Sequence, residues 1–356
     1  MSDRTLGIVG VGLIGGSIGM AARRAGWEVS GVDADVILEH AVELGAIDHP
    51  ARLDDVRDAE MVVLAAPVSR ITGLLAELAP TDALVTDVGS AKAAIVRGAA
   101  AAGIQRFVGG HPMAGSQLGG VANASPDLFR GARYLITPTG DTLPEAYARV
   151  TQFVRDDLGA VPTAVDPERH DRLVAALSHL PHLLAVALLE VTSGISPDAL
   201  SFAGPSFRDL TRVGAANPTL WADILAENAG AIQEVLGSFS DAMRRLGGDI
   251  DDRPATERHF SEAGAAYQTL GGFLIEQTGH NVDIAVPIEN RPRVLAQVTT
   301  LMGSNDINIL DLYMQHSDTR HAALVLTIDA ASIDRALGLL REAGFHAEPL
   351  VTGQAD

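Results

Sequence analysis

The sequence predicts three parts in order. An α/β domain that binds a nucleotide spans residues 1–165, an all-α helical domain spans 166–279, and a domain with the ferredoxin-like βαββαβ pattern spans 280–356. Three observations carry this reading. Short apolar runs alternate with helical periodicity through the first part, which argues for a parallel sheet with helices on both faces. Strand signals then stop after about Asp166 and long apolar helical patterns take over. Near Asn281 strands return, in the order β-α-β-β-α-β.

Thr5–Val9 is an apolar run that ends in glycine, and Leu13–Ala25 has helical periodicity. Glu28–Val32 reads as a strand, Asp35–Leu44 as a helix and Met61–Ala65 as a strand. A helix near Ile71–Leu78, a strand at Leu84–Asp87 and a helix from Ala91 follow. Strands at Phe107–Gly109 and Tyr134–Thr137 complete the first part. Pro167–Val191 is one long helical pattern with a kink expected at Pro181, where a backbone N–H is missing. Pro218–Leu246 and Asp252–Gln277 are further helical patterns. Such long apolar helices behind a nucleotide domain suit a dimer interface. In the last part, Val282–Ile288 alternates like a strand and Pro292–Met302 is helical. Ile309–His316 and His321–Asp329 read as a hairpin, Ser332–Ala343 as a helix and Phe345–Val351 as a final strand.

Composition narrows the function. A chain of 356 residues, 47% hydrophobic and 20% charged, has ample material for two or three cores. A net charge of -19 argues against a nucleic-acid surface, and anionic ligands need local positive groups. The chain has no cysteine, which excludes disulfides, thiolate zinc and a thiol nucleophile. Met1–Arg4 runs directly into a strand without the pattern of a signal peptide, and the longest apolar run, near Leu183–Leu189, is too short to span a bilayer. These features lead us to expect a cytoplasmic protein with no membrane partner. Of 26 basic residues only Lys92 is lysine, which suits a place where a compact ammonium fits and a guanidinium does not.

Gly10-Val11-Gly12-Leu13-Ile14-Gly15 is G-x-G-x-x-G between a strand and a helix, the Rossmann-type context. Gly10 suits the tight turn, Gly12 close approach of a pyrophosphate, and Gly15 close helix packing, with Leu13 and Ile14 opening the helix. Asp33 closes the second strand, where an acid binds ribose hydroxyls, and no arginine follows it closely. The cofactor expected is therefore NAD over NADP.

Gly109-Gly110-His111-Pro112-Met113-Ala114-Gly115 is expected to hold His111 on a tight loop against a ligand, as a proton acceptor or as a turn that caps a carbonyl. Ser90, in Asp87–Lys92, ends a strand on the ligand-binding side of the sheet and is also a candidate helix N-cap. His179 and His182 share a helix face, but no third ligand is at hand, so no metal site is expected. They are read as substrate contacts, with packing as the alternative for His179. Arg208 and Arg212 are four apart and expected on one helix face, where two guanidiniums suit a dicarboxylate. A solvated basic face is the alternative.

Gly10–Gly15, Asp33, Asp87–Lys92, Gly109–Gly115, Ser178–His182, Phe207–Arg212 and Asn217–Trp221, in that order, resemble the prephenate dehydrogenase family of tyrosine biosynthesis over about residues 4–280. The resemblance implies NAD-dependent oxidative decarboxylation of prephenate to 4-hydroxyphenylpyruvate. It implies that His111 accepts the C4 hydroxyl proton, Ser90 holds that hydroxyl and orients His111, and Arg212 clamps the ring carboxylate. His182 and Arg208 would then face the side chain. Gln117 stands where the family often has an acid, which favours prephenate over arogenate, the amine-bearing substrate.

Residues 282–352 resemble an ACT domain, which implies amino-acid sensing at Asn290, Arg291, Pro292, Asn308 and Ile309, with tyrosine as the inhibitor. Arg293 replaces the usual glycine there. Arogenate or dual-specificity cyclohexadienyl dehydrogenase activity is the alternative. More remote readings are another NAD enzyme, such as a β-hydroxyacid dehydrogenase or an imine reductase, or a non-catalytic NAD and amino-acid sensor. The former would be expected to place a lysine in the helical domain, and this chain has none there.

Overall fold

Strand β1 (Thr5–Val9) is the centre from which the sheet grows in both directions. It is followed by α1 (Leu13–Arg24), β2 (Glu28–Val32), α2 (Asp35–Glu43) and β3 (His49–Pro50). The chain then crosses back through β4 (Met61–Leu64), α3 (Val68–Leu78), β5 (Leu84–Asp87), α4 (Ala93–Ala101) and β6 (Phe107–Pro112). β7 (Arg133–Thr137), α5 (Pro144–Gln152) and β8 (Val161–Ala164) finish an eight-stranded sheet of order β3-β2-β1-β4-β5-β6-β7-β8. This computed structural model describes residues 4–115, 118–278, 281–289, 291, 293–316 and 321–349.

The alternation along β4 shows why helices cover both faces. Met61 and Val63 join one apolar core, and Val62 and Leu64 join the other. A strand buried on both sides reads as a continuous apolar run. One difference from the expected parallel sheet concerns β7, which pairs antiparallel with β6. Through that pairing β6 continues past Gly109 to Pro112, with His111 opposite Leu135. His111 thus stands on a strand and not on a free loop. The backbone hydrogen bonds of β7 hold it there.

The helical part contains α6 (Pro167–Val174), α7 (Leu180–Ile195), α8 (Pro205–Thr211), α9 (Pro218–Glu227) and α10 (Ala229–Gly248). Between α6 and α7 the chain widens into a π-turn, Ala175–His179. The kink expected at Pro181 is thus absorbed just before it, because proline supplies no N–H and crowds the carbonyl four residues back. Asn228 breaks the single helix expected over Pro218–Leu246 into α9 and α10. The uninterrupted apolar run near Leu183–Leu189 is short, but the longer helical stretch Pro167–Ile195 that contains it includes a segment of mean hydropathy 1.7 and, by length and composition only, could cross a bilayer. Its first turns carry Glu168, Arg169, His170, Asp171 and Arg172, and His170 is wholly buried in the protein.

Residue contacts divide the chain into Met1–Met243 and Arg244–Asp356. The second unit holds α11 (Arg253–Thr278), β9 (Asn281–Glu289), α12 (Val294–Gly303), β10 (Ile309–His316), β11 (His321–Asp329), α13 (Ile333–Glu342) and β12 (Glu348–Pro349). The four strands form an antiparallel sheet of order β10-β11-β9-β12, over a core that includes Ile284, Val298, Leu326 and Leu340. Arg293 caps α12 with φ 76°, a left-handed conformation that favours glycine. Such a residue carries strain of order 1 kcal/mol or more.

Candidate active site

The turn after β1 is built for a phosphate. Gly10 has φ 97°, and a side chain there would collide with the Ala65 backbone. Gly15 lies so close to the Gly10 carbonyl that any Cβ would overlap it. Nothing lies within 4 Å of the position a Cβ would take on Gly12, and no side chain caps α1. The helix therefore presents free amides in an open cradle, and that arrangement suits a pyrophosphate. Leu13 and Ile14 form the first turn of that helix. Asp33 accepts hydrogen bonds from the backbone of Val11 (2.7 Å) and Ala34 (2.7 Å), which ties the end of β2 to the glycine turn. The described residues fit NAD. Gly10–Gly15 would hold the pyrophosphate and Asp33 the ribose hydroxyls.

β5 and β6 end side by side, and a buried ion pair locks them together. Lys92, with no exposed area, donates from Nζ to Asp87 and to the carbonyl of Gly110 at 2.7 Å. Asp87 in turn accepts from the amides of Gly89 (2.8 Å) and Gly110 (3.2 Å). Both backbone groups of Gly110 are thus held by one pair of charges, directly before His111. A buried pair survives only when its remaining hydrogen-bonding capacity is met, as here. Burial lowers the Lys92 pKa, while Asp87 opposes the shift.

His111 is joined to two residues that sequence reasoning missed. Its Nδ1 lies 3.0 Å from Nε2 of His170, and Nδ1 of His170 lies 2.8 Å from Asp171. An ionised carboxylate only accepts, so His170 Nδ1 carries the proton that Asp171 receives. With that proton on Nδ1, the Nε2 of His170 can accept from His111 Nδ1–H. His111 Nε2 is left with a free lone pair. Asp171 also caps α4 across 79 residues, accepting from the amides of Lys92 (2.7 Å) and Ala93 (2.9 Å). That is the N-cap place considered for Ser90; Lys92 stands at the cap position and its side chain does not fill it. Burial pushes the Asp171 pKa up, but the bonds from His170, Ala93 and Lys92 hold it below the usual carboxylate value. Burial and the neighbouring charges of His170, Lys92 and His179 keep the pKa of His111 well below that of free imidazole.

A cavity of about 300 Å³ opens beside His111. Ser90, Met113, Val174, Ser178, His179 and Trp221 are among its lining. His179 is wholly buried, and its ring meets Trp221 edge-on at 5.9 Å. His182 is not among the lining residues. It stacks on Trp221 at 3.6 Å and donates from Nδ1 to the Ser178 carbonyl. Arg208 and Arg212 are exposed and lie outside the cavity lining. The helix α8 ends at Thr211 and Arg212 begins a tighter 3-10 turn, so the two do not share one helix face as expected. Gln117 lies outside the described residues, as do Asn290 and Pro292, whereas Arg291 and Asn308 are exposed and Ile309 is half-buried.

A nucleotide cradle at the end of β1 and an imidazole oriented at the end of β6 are parts that an NAD-dependent dehydrogenase requires. Residues 18–162 match the nucleotide-binding domain of prephenate dehydrogenase, and residues 166–260 match its dimerization domain. The chain is 32% identical to prephenate dehydrogenase of Bacillus subtilis, over 88% of each chain. It is 30% identical to cyclohexadienyl dehydrogenase of Zymomonas mobilis, over 74% of this chain and 95% of that one. Among solved structures it resembles prephenate dehydrogenase from A. aeolicus in complex with hydroxyphenyl propionate and NAD+. There the TM-score is 0.71 at 30% identity, covering 76% of this chain and 99% of that one. Arogenate dehydrogenase from Synechocystis follows closely, with a TM-score of 0.69 at 32% identity over 75% and 99% of the two chains. The chain belongs to the prephenate dehydrogenase family.

Proposed function

We propose that this chain oxidises prephenate to 4-hydroxyphenylpyruvate and carbon dioxide, with His111 as the base. The observation that carries it is the His111–His170–Asp171 chain, which leaves a bare imidazole nitrogen on a residue that lines the cavity. NAD, held by Gly10–Gly15 and Asp33, would supply the acceptor for the hydride that leaves C4. His111 Nε2 receives the C4 hydroxyl proton. The bond from the ring to its carboxylate breaks, the electron pair enters the ring, and the C4 oxygen becomes the phenol. His111 returns its proton to that oxygen, so the step balances without another proton source. Ser90 hydrogen-bonds the same hydroxyl, whereas orientation of His111 falls to His170. His179 contacts the substrate directly, and His182 acts through Trp221.

No described residue that lines the cavity is acidic, which favours an oxo side chain over the ammonium of arogenate. None is arginine or lysine either. The substrate's carboxylates are therefore assigned to Arg212 and Arg208, exposed side chains beside the bundle. The turn Arg212–Ala215 rests on α7, where Gly214 meets Leu189 and Ala185. Exposed Leu177, Val186, Val191 and Ile195 along the α6–α7 stretch suit a homodimer interface. The functional divisions are placed near residues 165 and 279. The βαββαβ order and the β10-β11-β9-β12 sheet support an ACT-like regulatory module of ferredoxin-like fold that answers to tyrosine. Absorbance at 340 nm, with NAD and either prephenate or arogenate, tests the reading. Faster turnover of prephenate is expected, and turnover of arogenate alone would reverse the assignment.

A further inference from the structure

Asn228 sits at the break between α9 and α10, is nearly inaccessible, and points back at α6 and the π-turn. Its Nδ2 lies 2.9 Å from the main-chain carbonyl of Asp171 and 3.3 Å from Nδ1 of His179. A carbonyl oxygen only accepts, so the amide must present its NH2 group on this side. The second N–H of that group then faces His179 Nδ1, which must be the unprotonated nitrogen. A neutral His179 consequently carries its proton on Nε2. Among the described residues that nitrogen has no hydrogen-bond partner.

We infer that Asn228 is a positioning residue that fixes His179 as a neutral Nε2–H donor toward the substrate in the cavity. The inference rests on the reading of this cavity as the substrate site. It gives the two imidazoles opposite parts: His111 presents an acceptor and His179 a donor. Both settings originate at residue 171. Its carboxylate sets His111 through His170, and its carbonyl sets His179 through Asn228. A neutral donor suits a keto or carboxylate oxygen of the substrate and offers nothing to an ammonium.

The charged and titratable neighbours agree with a neutral ring. They are His182 on α7, His170 and Asp171 on α6, and His111 on β6. Burial, and then the charge of His182, bring the His179 pKa down to about 4, although Asp171 opposes them.

The test is nitrogen NMR on the full chain with 15N-labelled histidine and saturating NAD, with His179 assigned through a His179→Gln variant. At pH 7 the His179 ring is expected to be neutral with its proton on Nε2. In Asn228→Asp a carboxylate replaces the donor and demands a proton from Nδ1, so the ring should switch tautomer or become cationic. The kcat/KM for prephenate should then fall by about 10- to 100-fold, the scale of loss when the outer partner of a metal-bound imidazole is removed, with KM carrying most of it. A purely structural role for Asn228 would lower stability and leave the tautomer unmoved. A wild-type His179 protonated on Nδ1, or an Asn228→Asp enzyme with unchanged tautomer and kinetics, would overturn the proposal. Once His179 is assigned, the wild-type spectrum needs neither substrate nor a folded Asn228 variant, so it tests the tautomer even if prephenate is not the substrate.

Discussion

Nδ1 of His111 lies 3.0 Å from Nε2 of His170, and this contact leaves Nε2 as the free nitrogen of the His111 ring. His111→Asn should reduce turnover of prephenate by about 10²- to 10⁴-fold, the range for a lost general base. NAD binding, measured by fluorescence titration, should not change. His170→Leu should also reduce kcat, because the His111 ring loses the partner that selects its tautomer. Near wild-type turnover in His111→Asn would remove this residue from the mechanism.

The depressed pKa of His111 predicts the pH profile. The base stays unprotonated until well below the usual histidine range, so the acid limb of kcat/KM should fall well under pH 6.5. The same sign governs stability. His179, with a folded pKa of about 4, contributes stability that is present above the unfolded value near 6.5 and is lost as pH falls toward 4. Urea midpoints should therefore decline between about pH 7 and pH 4. An activity limb centred at or above pH 6.5 would contradict a base whose protonated form is disfavoured by its surroundings.

Lys92→Met should destabilise the first unit by about 3–5 kcal/mol, since it leaves Asp87 charged and unpaired in the core. The double variant Lys92→Met with Asp87→Leu should recover part of this loss. Chemical denaturation followed by tryptophan fluorescence reads both. A loss under about 1 kcal/mol for Lys92→Met would mean that the pair is neutral or water reaches it.

Arg212→Ala should raise KM for prephenate by about 30-fold, equivalent to about 2 kcal/mol, the low end for an unpaired charge contact and fitting for an exposed side chain. The kcat should fall less. Arg208→Ala should have a smaller effect. If neither variant moves KM, the two arginines form a solvated face and the carboxylates are held elsewhere.

Tyrosine is expected to inhibit the full chain, and truncation after Thr278 should weaken that inhibition while activity remains. Asn308→Ala in the full chain provides a milder check. Regulation from a second site requires a coupling free energy between the two sites. If truncation leaves inhibition unchanged and competitive with prephenate, tyrosine binds where the substrate does.

The local parts of this protein could be read from sequence, and the assembled parts could not. Gly10, Gly12 and Gly15 announce themselves because the strand, the turn and the helix that give them meaning are contiguous. The βαββαβ order of the last strands and helices was readable for the same reason. His170 and Asp171 have no such context. Their importance depends on α6 reaching the end of β6, 59 residues away from His111 in sequence. Asn228 looks like any polar residue inside a helical pattern, and only the approach of α6 gives its amide a direction. The antiparallel β7 was hidden as well, since strand direction leaves no trace in an apolar run. Arg208 and Arg212 have helical spacing, but the helix ends between them.

The clamp formed by Lys92 has a practical counterpart at the surface. Because the sole lysine of the chain is wholly enclosed, the folded protein exposes no lysine amine. Acylating dyes, aldehyde cross-linkers and lysine-directed modifying enzymes should find no side chain to act on until the core opens. Labelling at residue 92 would therefore report unfolding directly. The outward-facing strong cations are all guanidiniums, which keep their charge far above the range where ammonium groups discharge. The positive part of the surface should thus stay constant into strongly alkaline solution.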